Sequence, residues 1–263
     1  MRGVMLNVMY HFVGRNESLK GISIKKFKEQ LDILCAKRKD SEFTLTFDHG
    51  TIDHIEIVAP ELEKKGIKGE FFIITMIPEE QRIPYIDKQR YLESFYRFDL
   101  SKMLCLDLEI EYNPEEAKDY LSMFKFYSIE ERYLRFLRDY IIPVETYQTF
   151  MNNLFEHKFG NESEFVKNEY MSWEQVIDLH RRGHTIGSHS HYHIGDIDDY
   201  SKSIKLIENV LDEKVTCIAY PNGIKKMQDN ELKALGIEIA YISTENGKMP
   251  YRAERVDCAQ LIL

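Results

Sequence analysis

Hydrophobic positions along this chain switch between two periods. Val4 to Tyr10 is a short apolar run and predicts a buried strand, whereas Ile24 to Lys37 carries Phe27, Leu31, Ile33 and Leu34 at helical spacing. Glu42 to Phe47, rich in β-branched and aromatic residues, predicts a strand that stops at Asp48-His49-Gly50. Ile55 to Lys65 fits a helix closed by Gly66, and Glu70 to Thr75 reads as the next strand. After Pro78 the pattern changes to charged, aromatic-rich helical segments such as Ser128 to Tyr140 and Val144 to His157. Alternation resumes at Ser172-Trp173-Glu174-Gln175, whose S-x-x-Q form is that of a capping box opening a helix that ends at Gly183. His184 to His189 reads as a strand, Ser201 to Asp212 as a helix and Thr216 to Tyr220 as a strand. Asp229 to Leu235 then reads as a helix and Ile237 to Ile242 as a strand. Repeated βα units predict an α/β fold on a parallel sheet, either open or closed into a barrel.

The length of 263 residues allows one large domain, or a domain with an insertion. Residues 79–168 hold too many apolar side chains to stay unfolded, so they are expected to form an inserted helical subdomain between 1–78 and 169–263. Many of the 16 Tyr and 15 Phe fall there, and exposed aromatics would suit a homodimer contact. A net charge of −9 argues against nucleic acid as a partner, since that affinity rests on cations meeting phosphate. No apolar run reaches membrane-spanning length, and Met1 to His11 turns polar too soon for a signal peptide. Cys35, Cys105, Cys217 and Cys258 show no paired spacing. Reduced thiols and a cytoplasmic location are the simplest expectation.

Chemistry concentrates in the histidines. His189, His191 and His193 lie within five residues at the end of a predicted strand. His189 and His191 would share a strand face, and His193 joins His189 if the chain turns there. Imidazoles converging at a strand end suit zinc or a related divalent metal, the alternative being a His-rich polar loop. Asp48-His49-Gly50 ends a strand in the same way. Residues just past the C-terminal ends of parallel strands line active sites, so Asp48, His49, His189 and His193 could meet there; taken alone, Asp48 and His49 would be a bare turn.

Five segments, taken in order, resemble the polysaccharide deacetylase family. Thr46-Phe47-Asp48-His49-Gly50 is similar to its first motif, T-F-D-D-G, and Gly69-Glu70-Phe71-Phe72-Ile73 to the strand that follows. Gly183 to Ser188, leading into His189-Ser190-His191-Tyr192-His193, is similar to the H-[ST]-x-x-H motif. Ala219-Tyr220-Pro221-Asn222-Gly223 resembles the A-Y-P-Y-G motif. Tyr241 to Gly247, then Arg255-Val256-Asp257, resembles the last strand and its arginine. The resemblance spans roughly residues 4–77 and 170–258 and is nearest the poly-N-acetylglucosamine deacetylase branch. It implies a distorted (β/α) barrel of about seven strands, fewer than the usual eight. It also implies a divalent metal held by His189 and His193, with Asp48 as general base. A backbone N–H after Pro221, within Tyr220-Pro221-Asn222, would face the oxyanion. Val8-Met9-Tyr10-His11 matches a Tyr-His strand end of that branch, which makes His11 the candidate general acid, or else a structural histidine at the rim. Gln260-Leu261-Ile262-Leu263 lacks the histidine that other branches use.

The chain departs from the pattern at His49, where the family has a metal-binding aspartate. His49 could ligate and complete a three-histidine zinc site, could point away, or could mark a protein that only binds sugar; the first is the expectation. Ala219 replaces an arginine that steadies the base in many relatives, and Arg255 could take its place by pairing with Asp48. An insertion at 79–168 would cap the barrel mouth and favour a small, nucleotide- or lipid-linked acetylated amino sugar over a polymer. The alternatives are an inactive carbohydrate-binding homologue and an amidohydrolase acting on a non-sugar amide.

Overall fold

A computed structural model describes residues 6–14, 19, 21–37, 43–97, 99–122, 127–243 and 252–258. Val4, Glu42, Thr244 to Gly247 and Gln260 to Leu263, used in the reading above, lie outside the described residues. The chain divides into two compact units, one made of Met1–Pro84 with Ser163–Leu263 and the other of Tyr85–Glu162.

The first unit is a wholly parallel sheet. Strands β1 (Leu6–Tyr10), β2 (Phe43–His49), β3 (Glu70–Ile73), β4 (Thr185–Ser188), β5 (Cys217–Ala219) and β6 (Ile239–Ile242) stand side by side in chain order. The stretch 252–257 then serves both edges: β7 (Arg252–Glu254) pairs with β6, and β8 (Val256–Asp257) pairs with β1. Counting that stretch once gives the seven positions expected of the distorted (β/α) barrel. The sheet curls because one segment must reach both of its edges.

Strand alternation sorts the side chains. Val8, Tyr10, Leu45, Phe47, Phe71, Ile73, Ile186, Ile218, Tyr220, Ala240 and Ile242 form the main core with the surrounding helices. Those helices include α1 (Ile24–Lys37), which sends in Phe27, Leu31 and Leu34, and α2 (Ala59–Lys64), which sends in Leu62. An aromatic ladder ties the first three strands, with Phe47 stacked on Tyr10 at 5.2 Å and on Phe71 at 4.9 Å. Each such contact adds about 0.5–1.5 kcal/mol beyond its burial. The alternate positions Phe72, Cys217, Ala219 and Tyr241 form a separate small cluster within the curl. Strand interiors are buried on both faces, as parallel strands covered by helices must be.

Some boundaries differ from the pattern. The helix expected over 55–65 is a wide π turn, His54–Val58, followed by α2. Pro60 has no N–H to offer the Glu56 carbonyl, so the regular ladder cannot run through. After the short α3 (Met76–Glu80), the second unit holds α4 (Tyr85–Tyr96), α5 (Asp99–Asp107), α6 (Ile129–Phe136) and α7 (Val144–Phe159), with no strand among its described residues. Its core includes Tyr91, Leu104, Tyr133, Tyr147, Met151 and Phe155. Back in the first unit come α8 (Glu162–Glu169) and α9 (Trp173–Arg181), the latter opened by the expected box: Ser172 Oγ accepts from Gln175 N–H and Gln175 Oε1 from Ser172 N–H. Helix α10 spans Ile197–Leu211 and starts before the expected Ser201, because Asp196 caps it by accepting the Asp199 N–H. The last helix is α11 (Asp229–Ala234).

Gly187 shows how tightly the interior is filled. A Cβ there would stand 2.4 Å from Phe72 Cε1 and 2.8 Å from the Cys217 carbonyl oxygen. Gly187→Ala is expected to cost about 1–3 kcal/mol of overpacking. Urea unfolding would read the loss, and an unchanged midpoint would mean that Phe72 can move aside.

Candidate metal centre and active site

Parallel register sets the strand ends level. Asp48 and His49 pair with Phe72 and Ile73, and Ile73 pairs with Ser188, so the turns leaving β2 and β4 start side by side. Both turns are bent in a way that L-residues rarely adopt. His49 and Gly50 have φ of 81° and 78°, and Ser190 and His193 have φ of 64° and 62°. In the three non-glycine residues such backbone costs roughly 1–3 kcal/mol each and persists where its surroundings over-determine it.

These bends bring three imidazoles together. Ring centroids of His49, His189 and His193 are 5.0–5.2 Å apart, all three are buried, and one ligand atom from each lies within 4.8 Å of the others. His189 is oriented from behind: its Nδ1–H donates to the Ala219 carbonyl at 2.7 Å. A carbonyl only accepts, so Nδ1 carries the proton and Nε2 is the nitrogen left to serve as ligand. That is the form in which a histidine ligates a metal. The donor set of three imidazoles therefore fits a divalent ion.

Asp48 lies beside this cluster, 4.0 Å from His189 Nε2 and almost wholly buried. Arg255 Nη1 donates to its Oδ1 at 2.6 Å, so Arg255 pairs with Asp48 as the sequence suggested. The arginine reaches it from the linking stretch, its own N–H fixed on the Ile242 carbonyl and its guanidinium 5.8 Å from the ring centroids of both Phe72 and Tyr241. Burial alone would raise the Asp48 pKa, but the charges of Arg255 and His189 and the Arg255 hydrogen bond outweigh it and hold it at about 2.

His11 follows the end of β1, its ring 5.2 Å from that of His49. Two residues just downstream of the Asp48 motif hold its loop. His54 Nε2–H donates to the His11 carbonyl at 2.7 Å, and Asp53 Oδ2 accepts the Val13 N–H at 2.6 Å. Sequence reading missed both, although two polar residues opening an otherwise apolar helix were a visible signal.

The other expected residues divide. Tyr220 is buried in the core against Tyr200, so its phenol does not face the site and only its backbone shapes the turn. Pro221 starts a single 3₁₀ turn in which Gly223 N–H bonds the Tyr220 carbonyl and Ile224 N–H bonds that of Pro221. Asn222 is exposed with φ of 56°. His191 is not on the strand, which stops at Ser188, and it turns away from the cluster. Its Nε2–H donates to Glu80 at 2.9 Å and its Nδ1 accepts from the Thr75 hydroxyl at 2.9 Å, which anchors the loop to α3.

No family model and no curated protein matches the sequence. Solved structures do share the fold. The de-N-acetylase from Aggregatibacter actinomycetemcomitans is 12% identical, over 98% of this chain and 97% of that one, with a TM-score of 0.56. IcaB from Ammonifex degensii is 16% identical over 97% and 91%, with a TM-score of 0.55. The Streptococcus pyogenes deacetylase PplD, solved with acetate, is 13% identical over 96% and 91%, with a TM-score of 0.53. The fold is thus the one seen in polysaccharide deacetylases, and the three-histidine rim sits within it.

Breaking the buried ion pair should be costly. Arg255→Met leaves the Asp48 charge buried without its partner, which is expected to cost about 3–5 kcal/mol near pH 7. The unfolded carboxyl titrates near about 3.9. The folded one titrates at about 2. The pair's stabilisation is therefore complete above the unfolded value and is lost as pH falls through the folded one. Urea titrations should show the wild-type advantage over Arg255→Met narrowing from pH 5 to pH 2; a pH-independent gap would mean that the arginine acts only by packing.

Proposed function

We propose that this chain is a metal-dependent hydrolase that removes the acetyl group from the nitrogen of an amino sugar. The observation that carries this reading is the buried trio His49, His189 and His193 beside an arginine-held carboxylate, in a fold shared with sugar deacetylases. His49, His189 and His193 would hold the ion, zinc being the best match to imidazole donors. When bound, a divalent ion supplies Lewis acidity to the acetamide carbonyl and to the attacking water.

The remaining work falls to this chain's own groups. Asp48, kept ionised by Arg255, accepts the proton of the water as it attacks. The Asn222 N–H, the turn donor that follows Pro221, faces the oxygen on which negative charge develops. His11, next to His49 and half-exposed at the rim, delivers a proton to the departing amine. Its neighbours His54 and Asp53 hold the loop through its backbone, at the His11 carbonyl and the Val13 N–H.

The second unit is inserted after β3, in a connection that leaves the strand end bearing the site. We take it as a cap that favours small, nucleotide- or lipid-linked amino sugars of surface glycan assembly, with a role in homodimer contact as the alternative. No described helix is long and apolar enough to cross a membrane. A cytoplasmic site of action is part of the proposal, and cell fractionation would test it.

Acetate release from short N-acetylated amino sugars, beside small cyclic amides and a long acetylated polymer, tests the activity and the cap together. Preference for the polymer would overturn the cap, and preference for the cyclic amides would overturn the sugar. Asp48→Asn is expected to lower turnover at least about 100-fold while keeping the metal. His11→Ala is expected to lower turnover with metal content unchanged. His49→Ala should lose the ion, as mass spectrometry of chelator-free protein would show. A wild-type chain that takes up no ion and releases no acetate would overturn the hydrolase reading, and calorimetric titration with the same sugars would then test the sugar-binding alternative.

A further inference from the structure

The loop that carries His193 is wrapped around one carboxylate. Asp199 Oδ1 accepts the N–H groups of His191 at 3.1 Å and Tyr192 at 2.6 Å, and its Oδ2 accepts those of Ile194 at 2.9 Å and Gly195 at 2.8 Å. The two pairs flank His193, which sits between them with its φ at 62°. Asp199 is 6% exposed and belongs to the first turn of α10, where Asp196 fixes its own N–H. An ionised carboxylate offers about four acceptor sites, and here all are taken by backbone donors. An asparagine could satisfy only one of the two pairs, because its NH₂ would meet the other pair donor to donor. The next residue in the helix reinforces the arrangement. Tyr200 OH donates to the Ala219 carbonyl at 2.8 Å, the same oxygen that accepts from His189 Nδ1.

We propose that Asp199 is a positioning residue for the metal centre: its carboxylate, by gathering four N–H groups of the 191–195 loop, holds His193 in the left-handed bend that aims it at the same ion as His189 and His49. This role rests on the three-histidine reading of the site. It explains why a non-glycine residue is kept at positive φ there, since four charge-assisted bonds outweigh the strain of one bend. It also assigns a purpose to a buried acid whose oxygens are taken up by peptide N–H groups.

The test compares zinc affinity of the metal-stripped full chain, by competition with a chromophoric chelator, for wild type, Asp199→Asn and Ile207→Ala. Ile207 is a buried core residue two turns further along α10, so Ile207→Ala reports what loss of helix packing alone does. Asp199→Asn is expected to weaken zinc binding about 10–100-fold, the usual penalty for removing a residue that orients a ligand. Ile207→Ala is expected to lower the melting temperature and leave zinc affinity unchanged. Wild-type binding with Asp199→Asn binding equally well would overturn the role of Asp199 alone; no zinc uptake by wild type would overturn the metal centre, and this role with it. Should Asp199→Asn not fold, amide hydrogen exchange of the metal-free wild type decides. Protected amides at His191, Tyr192, Ile194 and Gly195 support the clamp, and free exchange overturns it.

Discussion

Parallel pairing in sequence order is the constraint on which the rest depends. Once β1, β2, β3 and β4 stand in register, the residues that follow each strand must emerge on the same rim. His11, His49 and His189 are such residues, each placed just past or at the end of its strand. No long-range recognition between histidines is needed to assemble them. The sheet delivers them as a by-product of its hydrogen bonding, and the turns only have to aim the rings.

Aiming the rings is where the local energy goes. The bends at His49, Ser190, His193 and Asn222 are conformations that a sequence optimised for stability alone would assign to glycine. Electrostatics makes a second demand, because a carboxylate as deeply buried as Asp48 would favour its neutral form. Arg255 reverses that preference by direct contact, its guanidinium beside Phe72 and Tyr241. The Asp48 charge is thereby compensated beside the three imidazoles.

Much of this is legible in the amino-acid sequence alone. The βα alternation, the helical character of the insertion and the meeting of Asp48, His49, His189 and His193 all follow from periodicity and strand-end placement. The Arg255–Asp48 contact needed the family likeness, since nothing local in the sequence points from one to the other. What stayed hidden were side chain to backbone bonds. Asp53 and His54 grip the His11 loop, and Asp199 grips the His193 loop, but a carboxylate that binds peptide N–H groups leaves no pattern in the identities of its partners. Tyr220 was misjudged because the motif marks a turn, while strand alternation sends its ring the other way into the core.

The stretch 252–257 also orders events in time. Arg255 lies 207 positions beyond Asp48, and the same stretch pairs with β1 on one side and β6 on the other. Synthesis proceeds from the N-terminus, so every other strand and the entire helical insertion leave the ribosome before it does. Until it docks, the sheet has two open edges and Asp48 has no counter-charge. A nascent chain lacking this segment therefore has neither joined sheet edges nor a compensated Asp48, and its unpaired edges are surfaces on which chaperones could act.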